Sequence, residues 1–427
     1  CLYFTPCFGG LHRIWDGLVD YAQYGEMKPS REKWLGEIPT SWKVLRLKRI
    51  FSIKKDIAGE EGHTVLSVTQ KGIRPKAMSE KGQFAQDYSK YQLVNHGDFV
   101  MNHMDLLTGW VDVSQYDGVT SPDYRVFINN KPDQFDSGYY RYIFQLCYSA
   151  RIFYGLGQGV AGFGRWRLPS DMFLNFVLPV PSISEQHAIA AYLDDQIAQI
   201  DSIIAEALAS IEEYKQWKSS AIFEATTKGI SRDVEMRDSR VELIGRIPKG
   251  WKIASLKHLC SMQAGKNLTA EQILENGKYP VYGGNGIRGY YYQYNNEGSY
   301  ILVGRQGALC GNAHLVEGQF WATEHAVVTT NKPGVDLTYL YFMLIAMNLN
   351  QYASNAAAQP GLSVNVIQNI KIVFPPLSEQ RNIAKHLNER CSQIDSLIEE
   401  KKALVYDLET YKRSLIYEIV TGKRKVV

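Results

Sequence analysis

Only a few stretches of the chain carry residue types at spacings that could do chemistry. Gly157-Gln158-Gly159-Val160-Ala161-Gly162 has the glycine spacing of a dinucleotide-binding loop. That chemistry needs a helix opening inside the loop, and the sequence runs on as Phe163-Gly164-Arg165-Trp166-Arg167-Leu168-Pro169, which cannot extend one. It is read as a flexible glycine loop. Gly265-Lys266 lacks the upstream glycine of a phosphate-binding loop, so nucleotide hydrolysis has no support. Cys310 and His314 have the spacing of half a zinc site; without a second pair they are read as structural. No Asn-Pro-Pro or Asp-Pro-Pro followed by an aromatic residue occurs, so the usual mark of an amino-methyltransferase is missing. The six cysteines (Cys1, Cys7, Cys147, Cys260, Cys310, Cys391) include no C-x-x-C pair and read as reduced thiols of a cytoplasmic protein.

The remaining polar stretches are glycine-rich and basic-aromatic. Tyr282-Gly283-Gly284-Asn285-Gly286-Ile287-Arg288-Gly289-Tyr290 is followed by Gly304-Arg305-Gln306-Gly307. Glycine lets backbone approach a phosphate, Arg can read guanine through two hydrogen bonds, and Asn or Gln can read adenine. Asn285, Arg288, Arg305 and Gln306 are therefore candidate DNA contacts. Earlier in the chain the same chemistry nominates Lys71 and Arg74 of Gln70-Lys71-Gly72-Ile73-Arg74-Pro75-Lys76, with Asn102, Arg165 and Arg167. Each such stretch taken alone is also what an ordinary surface loop looks like.

The elements that would position these residues are written twice. Ser-Glu-Gln at 184–186 and Ile-Asp-Ser at 200–202 return at 378–380 and 394–396, both at an offset of 194. Upstream, Met27 to Ile50 echoes Met236 to Leu259 at an offset of 209, and each copy holds Gly-x-Ile-Pro-x-x-Trp-Lys. A repeat of this length is a domain duplication rather than a solenoid. Residues 1–26 have no counterpart and read as upstream sequence ahead of a natural start at Met27. The rest divides into a first domain at 27–183, a central helix at 184–235, a second domain at 236–377 and a final helix at 378–427. Leu193, Ile197, Ile200, Ile204, Ala207, Ile211 and Tyr214 advance in steps of four and three, a heptad seam. Shifted by 194, the seam becomes Leu387, Cys391, Ile394, Ile398, Lys401, Val405 and Leu408. Ser184 and Ser378 are expected as N-caps, and Gly229 and Gly422 as the closing residues. Two helices of about 40 residues, each about 60 Å long, most simply pair antiparallel; the alternative is that each packs on its own domain. The interiors between helices are short β-branched and aromatic runs broken by Gly, Asn and Pro, so the expected class is α+β, with two mixed α/β domains.

Charge agrees with this division. The net charge of +3 names no partner, yet Lys and Arg outnumber Asp and Glu from Trp42 to Pro181 and from Trp251 to Phe374, whereas Ser184 to Lys228 is acidic. The domains, not the central helix, suit a polyanion. No run approaches the roughly 20 apolar residues of a membrane span.

From Met27 onward the pattern resembles the specificity subunit of type I restriction-modification systems. The resemblance is carried by Gly36-Glu37-Ile38-Pro39 with Trp42, Gly245-Arg246-Ile247-Pro248 with Trp251, and the two Ser-Glu-Gln helices. Tyr279 to Ile287, Gly304 to Gly307 and Asp117 to Tyr124 are similar to target-recognition patterns of that family, and residues 1–26 depart from it. The resemblance implies a non-catalytic DNA-binding subunit. Each target recognition domain would read one half of a bipartite site in double-stranded DNA, and the paired helices would set the gap. It also implies two methyltransferase subunits bringing S-adenosylmethionine and restriction subunits bringing ATP and magnesium chemistry, with no cofactor in this chain. The rivals are a protein-binding coiled-coil scaffold without DNA specificity and a stand-alone DNA-modifying enzyme.

Overall fold

The computed structural model describes residues 23–76, 88–159, 166–231, 233–307, 309–354 and 361–426. The chain forms two compact units: one runs to Glu206 and resumes at Leu404, and the other is Ala207–Ala403. Among the described residues no helix is long and apolar enough to cross a membrane.

In the first unit the strand Met27–Pro29 pairs antiparallel with Glu37–Pro39, and Lys43–Arg46 pairs with Val177–Val180. Between these frame strands lies a four-stranded antiparallel sheet in the order Phe51–Lys54, Arg125–Asn129, Phe99–Met101, Val111–Val113. The Phe51 ring packs edge-on against Phe99, Phe127 and Phe144, centring the core between the sheet and the helix Ser137–Ser149. The second unit repeats the frame. Met236–Asp238 pairs with Arg246–Pro248, and Lys252–Ser255 with Lys371–Phe374, all antiparallel. Its interior is different: six strands in the order Cys260–Ala264, Ala326–Asn331, Asn296–Gly304, Ala313–Ala322, Tyr279–Gly283, Gly286–Tyr291. Only the pairing of Tyr279–Gly283 with Ala313–Ala322 is parallel. The shared frame and the divergent sheets explain why sequence similarity concentrates at the module ends.

The central helix is Ile183–Lys228 and the C-terminal helix Leu377–Val420. Their starts correct the expected caps. Gln186 donates its N–H to the Ser182 carbonyl and Gln380 to that of Pro376, so each helix begins before the Ser of Ser-Glu-Gln. Ser182 caps the first by accepting from the Glu185 N–H at 3.3 Å, while Ser184 and Ser378 lie inside the first turn. The ends are as expected: Gly229 and Gly422 have left-handed φ of 83° and 71°. A side chain at Gly229 would meet the Trp251 ring, and one at Gly422 would meet Pro39 and Trp42. The tryptophan of each frame motif thus seats the end of a long helix.

Within each unit the two helices run antiparallel. Lys412 pairs with Asp201 at 2.6 Å in the first unit, and Lys218 with Asp395 at 2.6 Å in the second. These are the same pair under the offset of 194, using the Asp of each Ile-Asp-Ser. Both sides of the expected seam alternative hold, in different turns. Leu193 and Ile200 are buried in the first core, with Ile197 and Ile204 against it, and Leu387 and Cys391 are buried in the second core. Ile211, Ile394 and Ile398 instead form a separate helix-to-helix cluster, Leu408 packs in the first core, and Val405 is half-buried. Beyond the seam, Leu415, Ile416, Ile419 and Val420 complete the first core, as Ile222 and Ala225 complete the second. Each domain is closed by the tail of the other module's helix.

Two polar anchors repeat almost atom for atom. Gln186 and Gln380 are fully buried. Their Oε1 atoms accept from the N–H groups of Asp136 and Asp336, both at 2.8 Å. Their Nε2 groups donate to the carbonyls of Gln134 and Pro181 in one unit and of Gly334 and Pro375 in the other. Asp136 and Asp336 in turn cap the helices Ser137–Ser149 and Leu337–Ala346, accepting from Tyr139 N and Tyr339 N. Buried Tyr139 and Tyr339 then donate their hydroxyls to the carbonyls of Val420 and Thr226, at 3.0 and 3.1 Å. A chain of satisfied buried polar groups locks helix to domain in both units.

Candidate nucleic-acid interface

In the second unit the nominated residues converge at one end of the six-stranded sheet. The turn after Tyr279–Gly283, the end of Asn296–Gly304 and the turn before Ala326–Asn331 meet there with almost no side-chain volume between them. A Cβ on Gly304 would lie 1.9 Å from the Gly284 carbonyl oxygen, and one on Gly284 would lie 3.2 Å from that of His325. The glycines are required by this close backbone approach. Around it stand Asn285, exposed and accepting from the Asn312 side chain at 2.8 Å, and exposed Gln306. Arg288 is exposed on Gly286–Tyr291, its stem lying over Gly283. The Arg305 backbone is held on both sides, its N–H by the His325 carbonyl and its carbonyl by the Leu362 N–H. Its buried Nε has no partner among the described residues. Asn285, Arg288, Arg305 and Gln306 thus form one polar surface with rigid backbone support.

Sequence reasoning missed Asn312, Glu324 and His325 at this place. His325 and Glu324 form an ion-pair contact at 3.0 Å with both side chains 37% exposed. Neither stood in a glycine run, and the fold alone brings them to it. At the far end of the same hairpin, away from this turn, Tyr279 packs against Tyr294 at 5.0 Å with the Lys278 ammonium 4.9 Å over the Tyr279 ring. Cys310 and His314 do not make a metal site: Cys310 is buried against the Asn350 amide, and burial holds the His314 imidazole below its usual pKa. Among the described residues no group of three His, Cys, Asp or Glu could hold a metal.

In the first unit the nominated residues are more dispersed. Lys71 and Arg74 are exposed on the hairpin of Leu66–Thr69 and Gly72–Pro75, where Lys71 N donates to Thr69 Oγ1. Asn102 spends its side-chain oxygen on the Met104 N–H and its carbonyl on the Tyr148 hydroxyl, so it organises its loop as well as facing solvent. Arg167 is exposed one residue from Leu168, whose N–H donates to the His103 carbonyl, so Asn102 and Arg167 sit on joined loops. Arg165 and much of the glycine loop lie outside the described residues. The sequence did not reveal two groups beneath these loops. Arg125 is buried, donating to the Leu168 carbonyl at 2.8 Å and lying over the Phe173 ring. Burial, reinforced by Arg125 and Arg167, pushes the His103 pKa down to about 4, so it is a neutral imidazole at neutral pH. The Arg125 side chain and the His103 carbonyl both hold Leu168, at the end of the loop.

Comparison with known proteins gives this geometry a family. Residues 39–213 and 248–405 match the type I restriction modification DNA specificity domain. The chain is 44% identical over 152 residues to the EcoprrI specificity subunit of Escherichia coli, covering 35% of this chain and 38% of that protein. It is 23% identical over 399 residues to the MjaVIII specificity subunit of Methanocaldococcus jannaschii, covering 86% of this chain and 88% of that one. A solved structure described as the structural basis of complex assembly and conformational transition of the type I R-M system shares the fold. Its TM-score is 0.67 over 90% of this chain and 98% of that one, at 13% identity. With two copies of the specificity domain filling most of its length, the chain belongs to the family of type I restriction-modification DNA specificity subunits.

Proposed function

We propose that each unit reads one half of a bipartite site in double-stranded DNA, that the antiparallel helices set the unread gap, and that the chain does no chemistry itself. One observation carries this reading: the frame and its buried anchors repeat, while the sheets they hold have different strand counts and orders. Such a molecule presents two different surfaces from two equivalent mounts. In the second unit the reading surface is Asn285, Arg288, Arg305 and Gln306; in the first it is Lys71, Arg74, Asn102, Arg165 and Arg167. Two methyltransferase subunits would supply S-adenosylmethionine and the methyl transfer, and restriction subunits the ATP and magnesium chemistry, in the cytoplasm. The test is DNA methylation by the methyltransferase subunit with and without this chain. Sequence-dependent methylation only with both present is expected. Methyl transfer by this chain alone, or a methylation pattern unaffected by its removal, would refute the reading.

A further inference from the structure

Within the repeated frame, the seat of the motif tryptophan differs between the units. In the first unit Tyr24 packs edge-on against Trp42, ring centroids 5.7 Å apart, and donates its hydroxyl to Glu185. The Trp42 indole N–H, fully buried, has no acceptor among the described residues. In the second unit the equivalent Trp251 donates its indole N–H to the equivalent Glu379 at 2.7 Å. The position matching Tyr24 at the offset of 209 is Asp233, which is exposed. Where Tyr24 sits in the first unit, the second has a cavity of about 340 Å³ lined by Trp251, Glu379, Asn382, Ile383 and Val234. Glu185 is half-buried under Tyr24, whereas Glu379 is exposed and one of its oxygens is not engaged by the indole. Val234 and Ile230, 41% and 46% exposed, put apolar surface on a rim that also carries Lys228, Glu235 and Lys249.

We propose that this cavity is a docking site for a tyrosine side chain presented by a polypeptide partner, with Tyr24 as its intramolecular counterpart in the first unit. The phenol ring meets Trp251 edge-on, and its hydroxyl donates to the free oxygen of Glu379. A phenylalanine fills the same space but leaves that second oxygen of Glu379 without a donor. Resting on the proposed function, the partner is the methyltransferase subunit.

The test uses the full chain labelled with 5-fluorotryptophan, with the Trp251 fluorine resonance assigned through Trp251→Phe. N-acetyl-tyrosinamide should shift that resonance saturably, and N-acetyl-phenylalaninamide should bind about tenfold more weakly for want of a hydrogen bond to a charged acceptor. Asp233→Tyr places a tyrosine where the first unit has one and should abolish the shift, as should Asn382→Trp, which fills the cavity from an exposed position. Both variants should keep the wild-type unfolding midpoint and lose about tenfold or more in affinity for the methyltransferase subunit, the loss of an interface anchor. An unmoved Trp251 resonance in the wild type, or variants that bind the methyltransferase as the wild type does, would overturn the proposal. Tyrosinamide binding by a wild-type chain that ignores the methyltransferase keeps the cavity and defeats the functional reading instead. Dimers of the wild-type chain that Asp233→Tyr disperses would make a second copy the occupant and overturn the assignment to the methyltransferase.

Discussion

Gln186 and Gln380 show how much one repeated side chain can hold. The sequence makes Ser-Glu-Gln visible as a helix start; that its glutamine is buried and bonded to three backbone groups depends on loops far away in the chain. Replacing Gln380 with Leu leaves the Asp336 N–H and two carbonyls without their partner, so the second unit should lose about 1–3 kcal/mol. Urea unfolding measures this, and an unchanged midpoint would show that the anchor is idle. His103 gives a pH signature in the first unit. Its folded pKa, about 4, lies below its unfolded value, because burial disfavours the charged form. Its contribution is therefore fully present above about pH 6.5 and lost as pH falls from there toward about 4. His103→Gln should flatten that part of the stability profile; equal slopes for the two proteins would contradict the assignment. At the proposed reading surface, Arg305→Ala should relax one base position and cost about 1–3 kcal/mol of discrimination. A uniform loss across all DNA sequences would make Arg305 a phosphate contact.

At the scale of elements, the helices were the most legible part of the sequence, because a 194-residue echo fixes both register and equivalence. Their starts were misplaced: Ser182 competes with Ser184 in the first helix, Pro376 stands at the matching position in the second, and only the first backbone hydrogen bonds, from Gln186 and Gln380, locate the starts. Their far ends were also missed. The seam reads as a heptad, but Leu415 to Val420 and Ile222 with Ala225 serve domain cores, and nothing local in a sequence distinguishes the two uses. The exposed ion pairs Asp201–Lys412 and Lys218–Asp395 add little stability individually. They match the antiparallel register instead. Inserting four residues between Leu193 and Tyr214 lengthens the central helix by about 6 Å, against about 3.4 Å of rise per base pair. Part of this is absorbed by local unwinding of the seam. The unread gap between the half-sites should widen by about one base pair, with the bases of each half unchanged. A folded, active variant with the original gap would remove the ruler role.

For the molecule as a whole, duplication was legible and specificity was not. Glycine runs pointed to Asn285, Arg288, Arg305 and Gln306, and the sheet does gather them. Glu324, His325 and Asn312 reach the same place through strand order, which no spacing rule reports. In the first unit Lys71 and Arg74 share a separate two-stranded hairpin, while Asn102 and Arg167 sit on joined loops beside the four-stranded sheet, so no single glycine-lined turn gathers them. These unlike interiors on like mounts make the central claim, modular reading, open to a direct measurement. The segment between Trp251 and Phe374 is exchanged for its counterpart from another specificity subunit, leaving both long helices and the frame strands up to Trp251 in place. Methylated adenines are then mapped across the genome of cells carrying the methyltransferase subunit. Modular reading predicts that one half of the recognised site changes while the other half and the gap stay as they were. A hybrid that folds and methylates yet alters both halves, or neither, would contradict it.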